Sequence, residues 1–217
     1  MYKAVLFDLD GTLTKPESGV FKSIEYIANK LNFALPPKSE LRNFIGPPVQ
    51  LSFQKYFGVS KSQSEEVALE YRKYYQEHGL LDCELFSGVE EMLSLLNSAG
   101  IKLLVATSKP QKFAEAVLNK FNLIKYFYKV CGAGFSEKAA DKSLIVKNAV
   151  AFSGERIEDI LMVGDRKYDV IGANDSNIKC LGVLYGYGTK EELILAGAIQ
   201  TAETPKRVAQ LIIEGSV

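Results

Sequence analysis

Apolar residues gather in short continuous runs, the runs alternate with stretches of helical period, and several runs stop at a small set of polar residues. Lys3-Ala-Val-Leu-Phe-Asp8 opens the chain, and comparable runs recur at Ile101 to Thr107, Tyr126 to Cys131, Asp159 to Gly164 and Lys179 to Leu184. Runs of this length, rich in aliphatic and β-branched residues, predict strands buried on both faces. Between them lie helical segments. Ser87 is placed to cap one that ends near Ser98, with Gly100 as its stop. Pro110 opens another that reaches Phe121, and a third spans Lys142 to Phe152. A further helix follows Gly164, and two short helices finish the chain. Strands that alternate with helices predict an α/β fold, a doubly wound parallel sheet with a Rossmann-like core.

The stretch after Gly11 has a different period. Val20, Ile24, Ile27, Ala28 and Leu31 recur at three- and four-residue spacings, the mark of an amphipathic helix. Pro36-Pro37 ends it, a short segment runs from Ser39 to Phe44, and Gly46-Pro47-Pro48 breaks the chain again. Two more helices are predicted, Leu51 to Phe57 with its apolar side on Leu51, Phe53 and Phe57, and Ser62 to Gln76. No strand is predicted between residues 15 and 80. The expectation is an all-helical cap of residues 15–80, inserted in a catalytic core made of residues 1–14 and 81–217.

Composition narrows the function. In 217 residues, 26 Lys and Arg balance 26 Asp and Glu, which argues against nucleic acid or an anionic membrane as a partner. Hydrophobic residues make up 47%, enough for a sizeable core, yet no uninterrupted apolar run is long enough to span a bilayer. A cytoplasmic monomer or small homo-oligomer is expected, acting on a small molecule. Cys83, Cys131 and Cys180 are far apart and form no Cys-x-x-Cys pair, so they read as small core residues. His78 is the single histidine and sits at what reads as a frayed helix end, which leaves no basis for a Ser-His-Asp triad.

Candidate chemistry collects where the strands end. The first ends at Asp8, with Asp10 and the turn residue Gly11 just beyond. A second ends at Thr107-Ser108 and a third at Gly164-Asp165, with Asp169 close by. In doubly wound sheets the ligand lies beyond these strand ends, where strand order reverses. Asp165 and Asp169 taken alone read as ordinary helix N-caps, but beside Asp8 and Asp10 they make an acidic cluster. Two like charges about 4 Å apart repel by roughly 4 kcal/mol at an effective dielectric near 20, so the cluster calls for a cation. An all-oxygen donor set suits Mg²⁺, with Asp8, Asp165 and the backbone carbonyl of Asp10 as ligands and Asp169 in support. Thr107 and Ser108 precede a helix whose free N–H groups favour an anion. Lys138, Lys142 and Lys147 all compete as the cation that reaches the phosphate or Asp8. The scheme that follows has Asp8 attack phosphorus to form an aspartyl-phosphate. Asp10, kept partly protonated by acidic neighbours, protonates the leaving oxygen and then activates water.

These residues resemble the motifs of the haloacid dehalogenase superfamily of phosphohydrolases. Asp8-Leu-Asp-Gly-Thr-Leu13 is similar to its first motif, Thr107 with Ser108-Lys109-Pro110 to the second, Lys142 to the third, and Gly164-Asp-Arg-Lys-Tyr-Asp169 to the fourth. The resemblance implies obligatory Mg²⁺, an aspartyl-phosphate intermediate and a mobile helical cap after the first strand, and it puts Lys142 ahead of the other lysines. Asp8, Leu9, Asp10, Thr107, Ser108 and Lys142 are then expected to grip the substrate phosphate. Phe44-Ile-Gly-Pro-Pro48 and Gly182-Val-Leu-Tyr-Gly-Tyr-Gly188 are most like the phosphoglycolate phosphatase group. The cap loop at Gly46 and Pro47 reads either as a lid over the leaving group or as a plain connection. Thr14-Lys-Pro-Glu17 departs from the acidic residue and serine that many members place there, which bears on the substrate.

Other readings compete. A nucleoside 5'-monophosphate or a sugar phosphate would also fit a cap loop of this kind, and Tyr185 and Tyr187 would stack on a base or pack in the core. A phosphosugar mutase shares the core motifs. A dehalogenase has no need of Asp10, Asp165 and Asp169, and a phosphonate hydrolase wants an activated cap lysine, which Lys22, Lys30 and Lys55 do not offer. A phospho-aspartate receiver switch uses a similar residue set but lacks an inserted cap.

Overall fold

Chain order explains the architecture in the computed structural model, which describes residues 2–134 and 140–217. Strand β1 (Ala4–Phe7) leads through a two-residue strand β2 (Thr14–Lys15) into four helices, α1 (Glu17–Leu31), α2 (Lys38–Leu41), α3 (Val49–Phe57) and α4 (Lys61–Tyr74). A π-helical turn, Tyr75–Gly79, follows, and the chain returns through β3 (Glu84–Leu85), which pairs antiparallel with β2. After α5 (Val89–Ser98) strands and helices alternate: β4 (Lys102–Pro110), α6 (Gln111–Lys120), β5 (Lys129–Ala133), α7 (Lys142–Ser153), β6 (Ile160–Gly164) and α8 (Lys167–Asp175). The chain closes with β7 (Lys179–Val183), α9 (Lys190–Ala196), β8 (Gln200–Ala202) and α10 (Pro205–Glu214).

Six strands form one parallel sheet in the order β5-β4-β1-β6-β7-β8. The alternation of side chains along β1 shows why it is doubly wound. Val5 and Phe7 join the apolar cluster that includes Leu93, Val117 and Leu211 of α5, α6 and α10, whereas Ala4 and Leu6 join one that includes Val146 and Val170 of α7 and α8. All four β1 residues are fully buried, so the strand reads as an unbroken apolar run. Phe7 registers with Val105 of β4 on one side and Val163 of β6 on the other. The chain turns outward in both directions from β1, and the crevice above Asp8 lies at this switch point.

Helices α1 to α4 pack around an aromatic cluster. Phe53 stacks on Phe57 at 5.4 Å, Phe57 on Phe33 at 4.7 Å, and Phe53 meets Tyr71 edge-on at 5.7 Å. Leu51 does not share that face. Gln50 and Phe53 point inward, so the residue one step from Gln50 is turned outward and stands 41% exposed. Helix α4 begins two residues earlier than Gln63 of its capping box with Ser60 and gives way to the π turn, which holds the exposed His78.

Other departures from the pattern have local causes. Gly88 in the left-handed region, not Ser87, is the cap of α5. Pro110 stands just outside α6, at its cap position. Lys15 belongs to β2, inside the stretch expected to be free of strands, and β8 separates the last two helices. Both are too short and too polar to form an apolar run. All three cysteines are buried and unbridged. Among the described residues no helix is long and apolar enough to cross a membrane.

Phe53→Ala removes the centre of the aromatic cluster from a fully buried position. It is expected to cost about 3–5 kcal/mol of unfolding free energy, measured by denaturant titration.

Candidate active site

The loop after β1 is wound tightly enough to bring two aspartates to one crevice. Leu9 carbonyl accepts the N–H of both Leu13 and Thr14, at 2.8 and 2.9 Å, and Gly11 N–H donates to Thr14 carbonyl at 2.8 Å. Gly11 holds a φ of 96°, open to glycine. The Leu9 side chain is consumed by the core, so only its backbone faces the loop.

Asp8 is anchored by its N–H to Val163 carbonyl at 3.0 Å and is 5% exposed. Lys142, the first residue of α7, donates from Nζ to Asp8 Oδ1 at 2.6 Å and lies 2.7 Å from Asp169 Oδ1. Burial disfavours its charge, but Asp169 and Asp8 outweigh that and hold its pKa well above the ordinary lysine value. The structure therefore gives Lys142 two carboxylates. Lys147 is exposed on the same helix, and Lys138 lies outside the described residues.

Asp8, Asp165 and Asp169 each present an oxygen within 4.8 Å of the others. Asp169 is spent on protein: beyond Lys142, its Oδ2 accepts Arg166 N–H at 3.0 Å. Burial pushes its pKa up to about 6 even so. Asp165 is fully buried, and its Oδ2 accepts Tyr187 N–H at 2.8 Å while Oδ1 has no hydrogen-bond partner among the described residues. Burial, then the charges of Asp169 and Asp8, push its carboxyl far above the carboxylate range. A buried, unpartnered carboxylate oxygen facing two other carboxylates fits a hard divalent cation, and the all-oxygen donor set fits Mg²⁺.

Glycine backbone makes this packing possible. A Cβ on Gly186 would lie 2.3 Å from Asp165 Cβ and from Gly11 carbonyl oxygen, and one on Gly11 would lie 2.2 Å from Asp165 Oδ2. The late glycine-rich segment thus clamps Asp165 from above. Tyr185 packs edge-on against Phe86 at 5.0 Å, and Tyr187 serves the site through its backbone.

Asp10 faces the same crevice with different partners. Its Oδ1 accepts Thr14 Oγ1–H at 3.1 Å and its Oδ2 accepts Lys109 Nζ. The charge in contact with Asp10 is thus a cation, where the sequence had suggested acidic neighbours. Thr107 is buried at the end of the regular part of β4, and its Oγ1 accepts Lys109 N–H at 3.2 Å. Ser108 donates to Ala140 carbonyl at 3.2 Å. Asp8, Asp10, Thr107 and Ser108 share a cavity of about 90 Å³ with Gly46 and Pro47 of the cap loop and with Tyr71, Arg72 and Tyr75 of the cap. The loop at Gly46 is held down by Arg166, whose Nη1 donates to Ile45 carbonyl at 2.9 Å while its Nε pairs with Glu192 at 2.9 Å.

Sequence reasoning places Lys109, Arg166 and Gly186 inside its motifs and gives none of them a role. Lys109 stands two residues after Thr107 and Arg166 one after Asp165, so adjacency to the motif residues was the available signal.

A central acid at a switch point, opposed by a lysine from the strand-β5 side and acids from the β6 side, defines a hydrolase site of phosphatase type. The comparison with known proteins agrees. Residues 5–183 match the model of the haloacid dehalogenase-like hydrolases, and the chain belongs to that family. A 5'-nucleotidase of Pseudomonas aeruginosa is 34% identical over 192 residues, 88% of this chain and 87% of that protein. A phosphoglycolate phosphatase of Vibrio parahaemolyticus is 27% identical over 98% of this chain and 93% of its own length. The crystal structure of a predicted phosphatase from Clostridium acetobutylicum superposes with a TM-score of 0.94 at 36% identity, over 99% of both chains.

Lys142→Met strands two buried carboxylates. With a chelator present, it is expected to lower stability by about 3–5 kcal/mol, and adding Asp169→Asn recovers part of the loss in thermal or denaturant unfolding.

Proposed function

We propose that this protein is a Mg²⁺-dependent phosphatase of small phosphomonoesters that works through an aspartyl-phosphate on Asp8, with substrates of the phosphoglycolate type. The observation that carries this reading is the orphaned, fully buried Asp165 oxygen beside Asp8, whose other neighbour is the Lys142 ammonium. A carboxylate paired with one lysine and poised beside a cation site is a nucleophile shielded from its own charge.

Asp8 attacks phosphorus in line and the phosphorus–oxygen bond to the leaving group breaks. Asp10 enters the cycle in its protonated form and gives that proton to the leaving oxygen, then takes one from the water that attacks the aspartyl-phosphate, which releases inorganic phosphate and restores both Asp8 and the Asp10 proton. Lys142, Thr107, Ser108 and the backbone at Leu9 hold the phosphoryl oxygens as charge develops. Asp8, Asp165 and the Asp10 carbonyl would hold Mg²⁺, with Asp169 keeping Lys142 in place. Bound there, the ion neutralises charge on the transferring group.

Residues 15–80 act as the cap and residues 1–14 with 81–217 as the core, with β2 and β3 as the hinge between them. The cavity under the cap favours a small leaving group. Each water-sized group needs about 10–15 Å³ of such space, and about 90 Å³ is present. A nucleoside 5'-monophosphate is the second reading, favoured by the identity to the Pseudomonas 5'-nucleotidase. It requires the cap to stand further open. The reaction takes place in the cytoplasm on a free metabolite.

Asp8→Asn is expected to abolish turnover of 2-phosphoglycolate and p-nitrophenyl phosphate, and Asp10→Asn to leave Mg²⁺ affinity close to wild type in calorimetry. Near-normal turnover by Asp8→Asn would exclude the scheme, and an isomeric phosphate ester as product would make the enzyme a mutase. Chelation of the metal is expected to abolish phosphate release, and added Mg²⁺ to restore it.

A further inference from the structure

Lys109 is a buried ammonium that bonds Asp10 and none of Asp8, Asp165 and Asp169. It is 9% exposed, donates from Nζ to Asp10 Oδ2, and reaches Tyr75 Oη at 3.0 Å with the Tyr75 ring centre 5.2 Å away. Its partners come from different parts of the fold. Asp10 stands on the loop after β1, whereas Tyr75 opens the π turn that ends the helical block. The other oxygen of Asp10 accepts from Thr14, in the strand that leads into that block. Both carboxylate oxygens are therefore held, one by the entrance to the cap and one by a lysine that also grips its far end.

We propose that Lys109 is a positioning residue: it orients Asp10 and couples that orientation to the closed cap through Tyr75. This rests on the phosphatase reading, in which Asp10 is the proton donor. A buried ammonium needs its hydrogen bonds satisfied. Lys109 keeps both partners only while Tyr75 is docked, so undocking the cap leaves Asp10 with a loosened partner. Lys142 already serves Asp8, and the backbone N–H of Lys109 is committed to Thr107 Oγ1, so the side chain is left to act on Asp10.

The test separates esters by their need for a proton. A p-nitrophenolate departs as a stable anion, whereas an alkoxide must be protonated as it leaves. The parameter is kcat/KM, which covers steps up to leaving-group departure and excludes the later attack of water. With Mg²⁺ present, Lys109→Met is expected to cost the alkyl ester 2-phosphoglycolate about 100-fold more than it costs p-nitrophenyl phosphate. Tyr75→Phe should show the same bias to a smaller degree, and Lys109→Arg should recover part of the alkyl-ester rate. Equal losses on both esters, or a loss confined to KM, would overturn the proposal. Should Lys109→Met fail to fold, the Tyr75→Phe and Lys109→Arg ratios decide alone. Wild-type protein that turns over neither ester would instead sink the small-ester reading on which the proposal rests.

Discussion

Carboxylates crowded into a low-dielectric crevice repel one another, and the balance of that charge organises this site. Lys142 sits between Asp8 and Asp169, and Lys109 sits against Asp10. Among the described residues Asp165 receives only the Tyr187 N–H, on one oxygen. Among the described residues the two lysines leave the acids under-compensated, and the deficit lies at Asp165, against which the glycine backbone of Gly11 and Gly186 is packed. At about 4 kcal/mol for each close pair at moderate dielectric, the repulsion is comparable with much of a domain's net stability. A divalent cation at that point would relieve it.

The same geometry links the cap to the chemistry. Among the described residues, two of the side-chain bonds that run from the helical block to the core end beside a proposed catalytic or ligand residue, while Ser18 and Lys22 reach Asp82 away from the site. Arg166 follows Asp165 in the chain and holds Ile45 carbonyl, whereas Lys109 holds Tyr75 and touches Asp10. Hydrogen bonds to charged groups contribute roughly 1.5–3 kcal/mol each.

Much of this was legible in the residues. The five strands read as apolar runs because each is covered by helices on both faces, and the acids at their ends stood out as a set, since each alone reads as an ordinary cap. Asp8, Asp165 and Asp169 do converge, and Asp10 and Thr107 share the cavity with Asp8. What escaped had weak local signals. Gln200–Ala202 is a three-residue edge strand without an apolar run, and Leu51 looked like a core residue because its helix starts two residues earlier, at Val49. Gly88 displaced Ser87 as a cap because the backbone turns there through the left-handed region.

By itself the sequence determined the elements, the doubly wound class and the set of acids, since all three depend on local period and on what terminates it. The tertiary structure decided which cation meets which acid. Lys142 and Asp8 are 134 positions apart and Lys109 and Asp10 are 99 apart, and neither spacing carries a local pattern. Those pairings exist because β1 lies between β4 and β6 in the sheet and because the helical block folds its π turn back onto the end of β4. Strand order and cap placement follow from the packing of the whole chain, which no short window of residues contains.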